Sequence, residues 1–377
     1  IDTAADEMGI DAAELRRRNY IPGDAFPYKT GLVFTYDSGD FDPAFQRAME
    51  LVDYQAVRSR QANEVGPIRT GIGVATVIKA SGGKANIRKG LARVEATPDG
   101  HVTVFTDVSP HGQGTATSFA QITADTLGID PEDVDVRHGD TDELASGGGT
   151  TSSRGLAVGG NAAYAALLEM RETLMARAAD RLKCASSDIT VAGHGVLTGP
   201  RDGSVSFGSL IPPSGLSIEG TFELPANPFA FAAHVAVIEL DTGTGDVRLV
   251  DYSAVHDCGP MINPTIVRGQ IQGGIVQGIG QALSEAMFYT DEGQPLTGSL
   301  MTYGIPTAES VPSFRLENQQ TPSPTNPLGI KGIGETPTVA APVAVANAVM
   351  DALAHADAGA AAVDMPMLPE RVWQAAR

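Results

Sequence analysis

The stretch "GLARVEATPDGHVTVFTDVSPHGQGTATSFAQITADTLG", residues 90–128, carries the pattern that decides the fold. Its first half alternates apolar and polar residues about Asp99-Gly100, the dipeptide that suits a tight hairpin turn, so it reads as two antiparallel strands. Its second half changes period. Thr115 to Leu127 reads as a helix stopped by Gly128. The order recurs downstream. "FAFAAHVAVIELDTGTGDVRLVDYSAVHDCG" (229–259) reads as a second hairpin, and "INPTIVRGQIQGGIVQGIGQALSEAM" (262–287) as a helix studded with glycines, which implies close packing on other backbone. The two β-α units at 90–127 and 229–288 look related. Strands and helices mix without strict βαβ alternation, so the expected class is α+β, with mixed hairpins and helices.

Working outward, Asp11 with Glu14 three residues on matches a capping box in "GIDAAELRRRN", and Asp42-Pro43 opens a second helix. "IRTGIGVATVIKA" (68–80) reads as a strand, which places a boundary near residues 58–67. A strand at Val134–His138, a long helix through "NAAYAALLEMRETLMARAADRL", a Pro-rich loop over 305–328 and helices in "TVAAPVAVANAVMDALA" and "PERVWQAAR" complete the reading. With 377 residues there is ample material for two or three cores. The net charge of −19 argues against nucleic-acid or anionic-membrane partners, which need a basic surface. Only two cysteines, Cys184 and Cys258, are present. That is too few for a disulfide framework or an iron–sulfur cluster, and it points to a reducing, cytoplasmic setting.

Four loops carry polar groups that packing alone does not require. Gln113 lies between Gly112 and Gly114 at a strand-to-helix corner, where bare backbone and a helix N-terminus suit an anionic ligand; an ordinary tight turn is the alternative. "SGGGTTSSRG" offers backbone amides, the hydroxyls of Thr150, Thr151, Ser152 and Ser153, and Arg154 as a phosphate cradle; the alternative is a flexible loop ending in an N-cap. Asn263-Pro264 sets a turn before a helix that carries Gln270, with a capping role for Asn263 as the alternative. Glu335 stands in "GIKGIGETPTVAAP" (329–342), a glycine-flanked turn better suited to aiming one carboxylate into a cleft than to solvating a surface. Ser81 with Lys84 forms S-x-x-K, and Lys29-Thr30-Gly31 forms K-T-G. Their order is reversed and no S-D-N accompanies them, which argues against a serine acyl-transfer enzyme.

Together, "GQG…T…AQI.AD.LG", "HGDTD…GGGTTSSR", "DCGPMINP…GQI.GG..QGIGQAL" and "NPLGIKGIGE…P…AVANAV.DAL" resemble, in order and spacing, the molybdenum-cofactor subunit of the xanthine dehydrogenase, aldehyde oxidase and carbon monoxide dehydrogenase group. The resemblance spans essentially the whole chain. It implies residues 1–60 as the end of a first molybdenum-cofactor-binding domain and 61–377 as a second, with subdomains 61–215 and 216–377. It implies a molybdenum cofactor, in bacterial relatives usually molybdopterin cytosine dinucleotide, whose metal takes its ligands mainly from the pterin. Glu335 matches the family's catalytic glutamate and Gln113 the glutamine beside the metal centre. Gly112, Gly114, Thr150 to Ser153, Arg154, Asn263, Gln270 and Lys331 fall in cofactor-facing motifs.

The resemblance also implies water-derived oxygen, a small-molecule substrate (an aldehyde, an N-heterocycle or purine, or carbon monoxide) and electron transfer to an iron–sulfur (2Fe-2S) subunit and an FAD subunit in a dimer of heterotrimers. Relatives are roughly twice as long, so the chain is expected to be a C-terminal portion. Thr336-Pro337 stands where many relatives have Ala-Gly. A cofactor-carrying homologue without catalysis is the competing reading.

Overall fold

The computed structural model describes residues 1–144, 147–356 and 362–377; Ser146, which opens the glycine-rich loop, lies outside them. Two four-stranded sheets organise the chain. In the first, the order is Leu216–Glu223, Lys89–Ala96, Val102–Thr106, Val134–His138. In the second it is Ile68–Ala80, Phe229–Asp241, Val247–Asp257, Arg315–Gln319. In each sheet the hairpin is antiparallel and the strand after the helix returns parallel to the hairpin's second strand. Each unit then runs into a long helix, Asn161–Leu182 in the first and Thr336–Ala354 in the second. The relation between the units seen in the sequence thus extends to hairpin, helix, parallel strand, helix.

The edge strands are exchanged. Ile68–Ala80 precedes the first hairpin in sequence but pairs along its whole length with Phe229–Asp241 of the second. Leu216–Glu223 precedes the second hairpin but pairs with Lys89–Ala96 of the first. Both sheets therefore draw strands from either side of residue 215. Helices Thr115–Leu127 and Asn161–Leu182 cover the first sheet through Phe119, Ile122, Leu167 and Met170. The second sheet is covered on both faces. Helices Phe41–Leu51 and Tyr54–Gln61 pack Phe45, Ala48 and Val57 on one side, and Pro264–Leu283 and Thr336–Ala354 pack Ile271, Ile275, Val345 and Val349 on the other.

Two strands of these four-stranded sheets escape the sequence pattern. Arg315–Gln319 falls within the expected Pro-rich loop; it is a short polar edge strand whose ladder is held by backbone rather than by apolar alternation. Leu216–Glu223 is interrupted by Gly220, which reads as a breaker. That glycine is needed, since a Cβ there would lie 2.3 Å from the Ala162 carbonyl oxygen of the overlying helix. The other exchanged strand repeats the arrangement. A Cβ on Gly73 would lie 2.1 Å from the carbonyl oxygen of Ala344. The helix above it is long and apolar enough by composition to cross a bilayer, but Ala344, Val345, Ala348 and Val349 are buried in the core against the sheet and helix Pro264–Leu283.

One ion pair fixes the segment that leads into this helix. Lys331 and Asp257 have side chains with 0% and 1% exposure, and the ammonium lies 3.1 Å from the carboxylate. Asp257 also accepts from the backbone amides of Gly259 and Thr321, and Lys331 donates to the Thr321 hydroxyl. Removing one member leaves the other buried and unpaired. Asp257→Ala is therefore expected to cost about 3–5 kcal/mol in denaturant unfolding. Gly73→Ala forces a methyl into backbone and is expected to cost about 1–3 kcal/mol. Gly273→Ala, where a Cβ meets nothing within 4 Å, is the control and should leave the unfolding midpoint unchanged or raised.

Candidate active site

The glycine corner of the first unit and the Asn-Pro corner of the second open helices Thr115–Leu127 and Pro264–Leu283, and both N-termini face one cleft of about 380 Å³. The loops before the two long helices, around Thr150–Ser153 and Gly332–Glu335, form its other walls. The corners touch: a Cβ on Gly114 would lie 2.6 Å from Cδ1 of Ile266, so only a glycine lets the two helix ends approach this closely. Its φ of 72° also suits glycine. Met261, Ile262, Ile266, Val267 and Ile333 supply an apolar lining.

Of the residues expected to form a site, Gln113, Thr150, Thr151, Ser152, Ser153, Asn263, Gln270, Lys331 and Glu335 all line this cleft. Gly112 and Gly114 shape the corner without lining it. Arg154 does not face the cleft. Its side chain is fully buried and is spent on Asp107, 2.9 Å away, and on the carbonyls of Ile87, Lys89 and Gly149. It holds the glycine-rich loop onto the first sheet rather than offering its guanidinium to a phosphate, which corrects the expectation from sequence. Lys331 likewise turns its ammonium away from the cleft, to Asp257. The acyl-transfer pair fails on burial: Ser81 has no exposed surface, and its hydroxyl accepts from the Gly332 amide at 2.8 Å, while Lys84 is exposed.

The Gln113 amide is engaged within its own wall. Its Oε1 accepts from the His111 amide at 2.6 Å, and its Nε2 donates to the Ser109 carbonyl at 3.3 Å and to Thr150 Oγ1 at 3.5 Å. Thr150 Oγ1 in turn donates to the Ser109 carbonyl at 2.5 Å. This ties the glycine corner to the hydroxyl loop. Asn263 does cap its helix, accepting from the Ile266 amide at 2.9 Å, while its Nδ2 donates to Gln121 at 2.9 Å. Ser152 and Ser153 both adopt left-handed backbone, with φ of 50° and 52°. Two consecutive non-glycine residues there mark a backbone held by its surroundings, as is common at ligand sites. The Gly82 amide, donating to the Ser152 carbonyl at 3.0 Å, is one such restraint.

Glu335 receives two donors on one oxygen. Ser153 Oγ donates to Oε2 at 2.7 Å, and Lys79 Nζ donates to the same atom. Lys79 stands at the end of the exchanged strand Ile68–Ala80, and nothing in its sequence context marks it. Burial pushes the Glu335 carboxyl up, but the hydrogen bonds from Lys79 and Ser153 and the Lys79 charge outweigh it, so the net shift is downward and the group is ionised at neutral pH. Cys258, also in the lining, is pushed up to about 12 by burial and by Asp257, and stays a thiol.

The cleft fits a polar cofactor on a specific observation. The Thr115 hydroxyl, in the first turn of its helix and in the cleft wall, is buried without a partner among the described residues. A buried hydroxyl of this kind normally has one. Two helix N-termini beside it favour phosphate or other anionic groups.

Known proteins resemble this chain over its whole length. The family model described as the molybdopterin cofactor-binding domain matches residues 47–312. The nicotine 6-hydroxylase large subunit of Paenarthrobacter nicotinovorans is 33% identical over 402 aligned residues, covering 100% of this chain and 49% of its own. The carbon monoxide dehydrogenase large chain of Hydrogenophaga pseudoflava is 32% identical, with 99% and 49% covered. Among solved structures, quinoline 2-oxidoreductase from Pseudomonas putida 86 superposes with a TM-score of 0.90 at 35% identity, covering 100% of this chain and 50% of its own. The chain thus spans about half the length of the curated relatives it matches. Since the family match covers well over half of its residues, the chain belongs to the molybdopterin cofactor-binding domain family of molybdenum-binding large subunits.

Proposed function

We propose that this chain is the cofactor-holding catalytic part of the large subunit of a molybdenum hydroxylase, and that Glu335 is its proton acceptor. The observation that carries the reading is the convergence of Gln113, Thr150–Ser153, Gln270 and Glu335, from four separated segments, on one cleft. When bound, the cofactor supplies the two-electron oxidant for oxidising a substrate carbon with oxygen taken from water. The chain's own residues hold it and move the proton. The helix N-termini at Thr115 and Pro264, the Thr115 hydroxyl and the backbone of the 150–153 loop would hold its polar groups. Gln113 and Gln270 would orient it. The apolar lining excludes bulk water, which strengthens each of these polar contacts. Glu335, ionised and fixed, takes a proton as the carbon–oxygen bond forms.

The substrate class is an aldehyde, an N-heterocycle or purine, or carbon monoxide. Relatives named for nicotine, quinoline and carbon monoxide support the N-heterocycle and carbon monoxide members of that range. A cytosine dinucleotide form of the pterin, with 2Fe-2S and FAD on partner subunits in a dimer of heterotrimers, belongs to the same reading. So does a cytoplasmic location.

In the assembled enzyme containing this chain, Glu335→Gln keeps the size of the side chain but cannot accept the proton. It is expected to retain molybdenum and pterin while kcat falls by about 10²–10⁴-fold. Metal analysis alongside steady-state turnover checks this. Turnover near that of the wild type with full metal would remove Glu335 as the base.

A further inference from the structure

Three segments meet at the Glu335 carboxylate. Lys79 comes from the strand exchanged between the units, Ser153 from the loop of the first unit, and Glu335 from the loop of the second. Both donors reach Oε2, and among the described residues no donor is paired with Oε1. Glu335 lines the cleft, and the side chains of Lys79 and Glu335 are 19% and 46% exposed, so the pair is partly shielded from water.

The anchors behind the pair are tight. Ser81, two residues past Lys79, accepts from the Gly332 amide at 2.8 Å, and Gly82 donates to the Ser152 carbonyl at 3.0 Å. A Cβ on Gly332 would lie 2.3 Å from Cβ of Ser153, so the two loops are in direct contact. These contacts fix the backbone from which both donors reach Glu335.

We propose that Lys79 is a positioning residue for the proton acceptor: with Ser153 it clamps Oε2 and leaves Oε1 as the free basic atom. This rests on the reading of Glu335 as the base. A carboxylate held by one oxygen keeps its other lone pairs available and its orientation fixed, which general-base catalysis requires. Lys79 is also the one cation placed to do this among the described residues of the cleft region. Besides Glu335, the titratable side chains in the lining are His111 beside the glycine corner, Cys258, whose carbonyl accepts from the Lys331 amide at 2.8 Å, and Lys331, which is committed to Asp257.

The sign of the effect follows. Lys79→Met removes both the hydrogen bond and the charge that favour the ionised form and leaves burial, which opposes it. The carboxyl should then protonate at a higher pH. Below its midpoint each pH unit removes about nine-tenths of the active base. Lys79→Arg keeps the charge and donor and should behave nearly as the wild type. Ser153→Ala removes one neutral donor and should shift the titration in the same direction by less.

The test uses the assembled enzyme as wild type, Lys79→Met, Lys79→Arg and Ser153→Ala. Glu335→Gln serves as the spectroscopic blank. Infrared pH-difference spectra, with the blank subtracted, report protonation of Glu335 directly and without turnover. The acid limb of kcat is followed in parallel. The expected result for Lys79→Met is a carboxyl titration and an acid limb both raised by about one pH unit or more, with kcat largely recovered at high pH and restored by Arg. An unchanged titration in Lys79→Met would overturn the clamp. Loss of kcat at every pH in that variant, with the titration unmoved, would overturn it too, because it would show a role in folding or cofactor retention only. A fully active Glu335→Gln enzyme would instead refute the function proposed above, and the infrared titration would still decide whether Lys79 governs this carboxyl.

Discussion

A glycine backbone under a helix is the constraint on which the architecture depends. Gly73 on one exchanged strand lies beneath Ala344, and Gly220 on the other lies beneath Ala162. At both places the long helix of a unit rests on a strand that the chain donates to that unit from outside it. Any side chain there would hold the two apart. Small residues on the helix side complete the fit: Ala344 and Ala348 in one unit, Ala162 and Ala166 in the other, all buried. The two units are thereby locked through main-chain ladders of 13 and eight paired residues rather than through a surface that could slide.

Locking the units fixes the cleft, because the cleft is made from equivalent places in both. Each unit contributes the corner where its hairpin enters a helix, and each contributes the loop before its long helix. The exchanged strand Ile68–Ala80 ends beneath both of those loops, and Lys79, Ser81 and Gly82 reach up from it to Glu335, Gly332 and Ser152. The buried pair of Lys331 and Asp257 completes the arrangement from the other side. A lone buried ammonium would be intolerable, so Lys331 must find Asp257, and in doing so it pins the start of the segment that carries Glu335. The site is thus rigid by topology and by charge together.

Much of this was legible in the sequence, and for physical reasons. The helix Thr115–Leu127, the strand Val134–His138 and the helix Asn161–Leu182 have strong periodicity and clear stops, so local pattern and tertiary structure agree. The loop residues Gln113, Thr150–Ser153, Asn263, Gln270 and Glu335 stood out because polar groups among glycines have no packing purpose. What was hidden is whatever depends on partners far along the chain. The exchange of edge strands leaves no local mark. Gly220 looks like a breaker until the helix above it is seen. Arg154 looked like a phosphate ligand because its neighbours are hydroxyls, yet its guanidinium pairs with Asp107, 47 residues earlier. Lys79 had no signal at all, since a lysine at a strand end is ordinary until Glu335, 256 residues later, folds against it.

Glu335 itself shows how a local preference yields to the site. It occupies the N-cap position of helix Thr336–Ala354, where a short side chain would normally accept from the first-turn amides. It makes no such bond; Pro337 in the first turn has no N–H to satisfy, and the Thr338 hydroxyl donates to the Glu335 carbonyl at 2.9 Å. The longer glutamate side chain instead passes over the helix end to Lys79 and Ser153. The helix still acts on it, because the aligned peptide dipoles at an N-terminus favour a negative charge close by. A capping aspartate would satisfy the helix but would be too short to span to the cleft wall. A glutamate gives up the cap and reaches it. That exchange of local stability for reach is what a functional site does to an otherwise self-consistent sequence, and it answers why a single carboxylate stands among glycines at this turn.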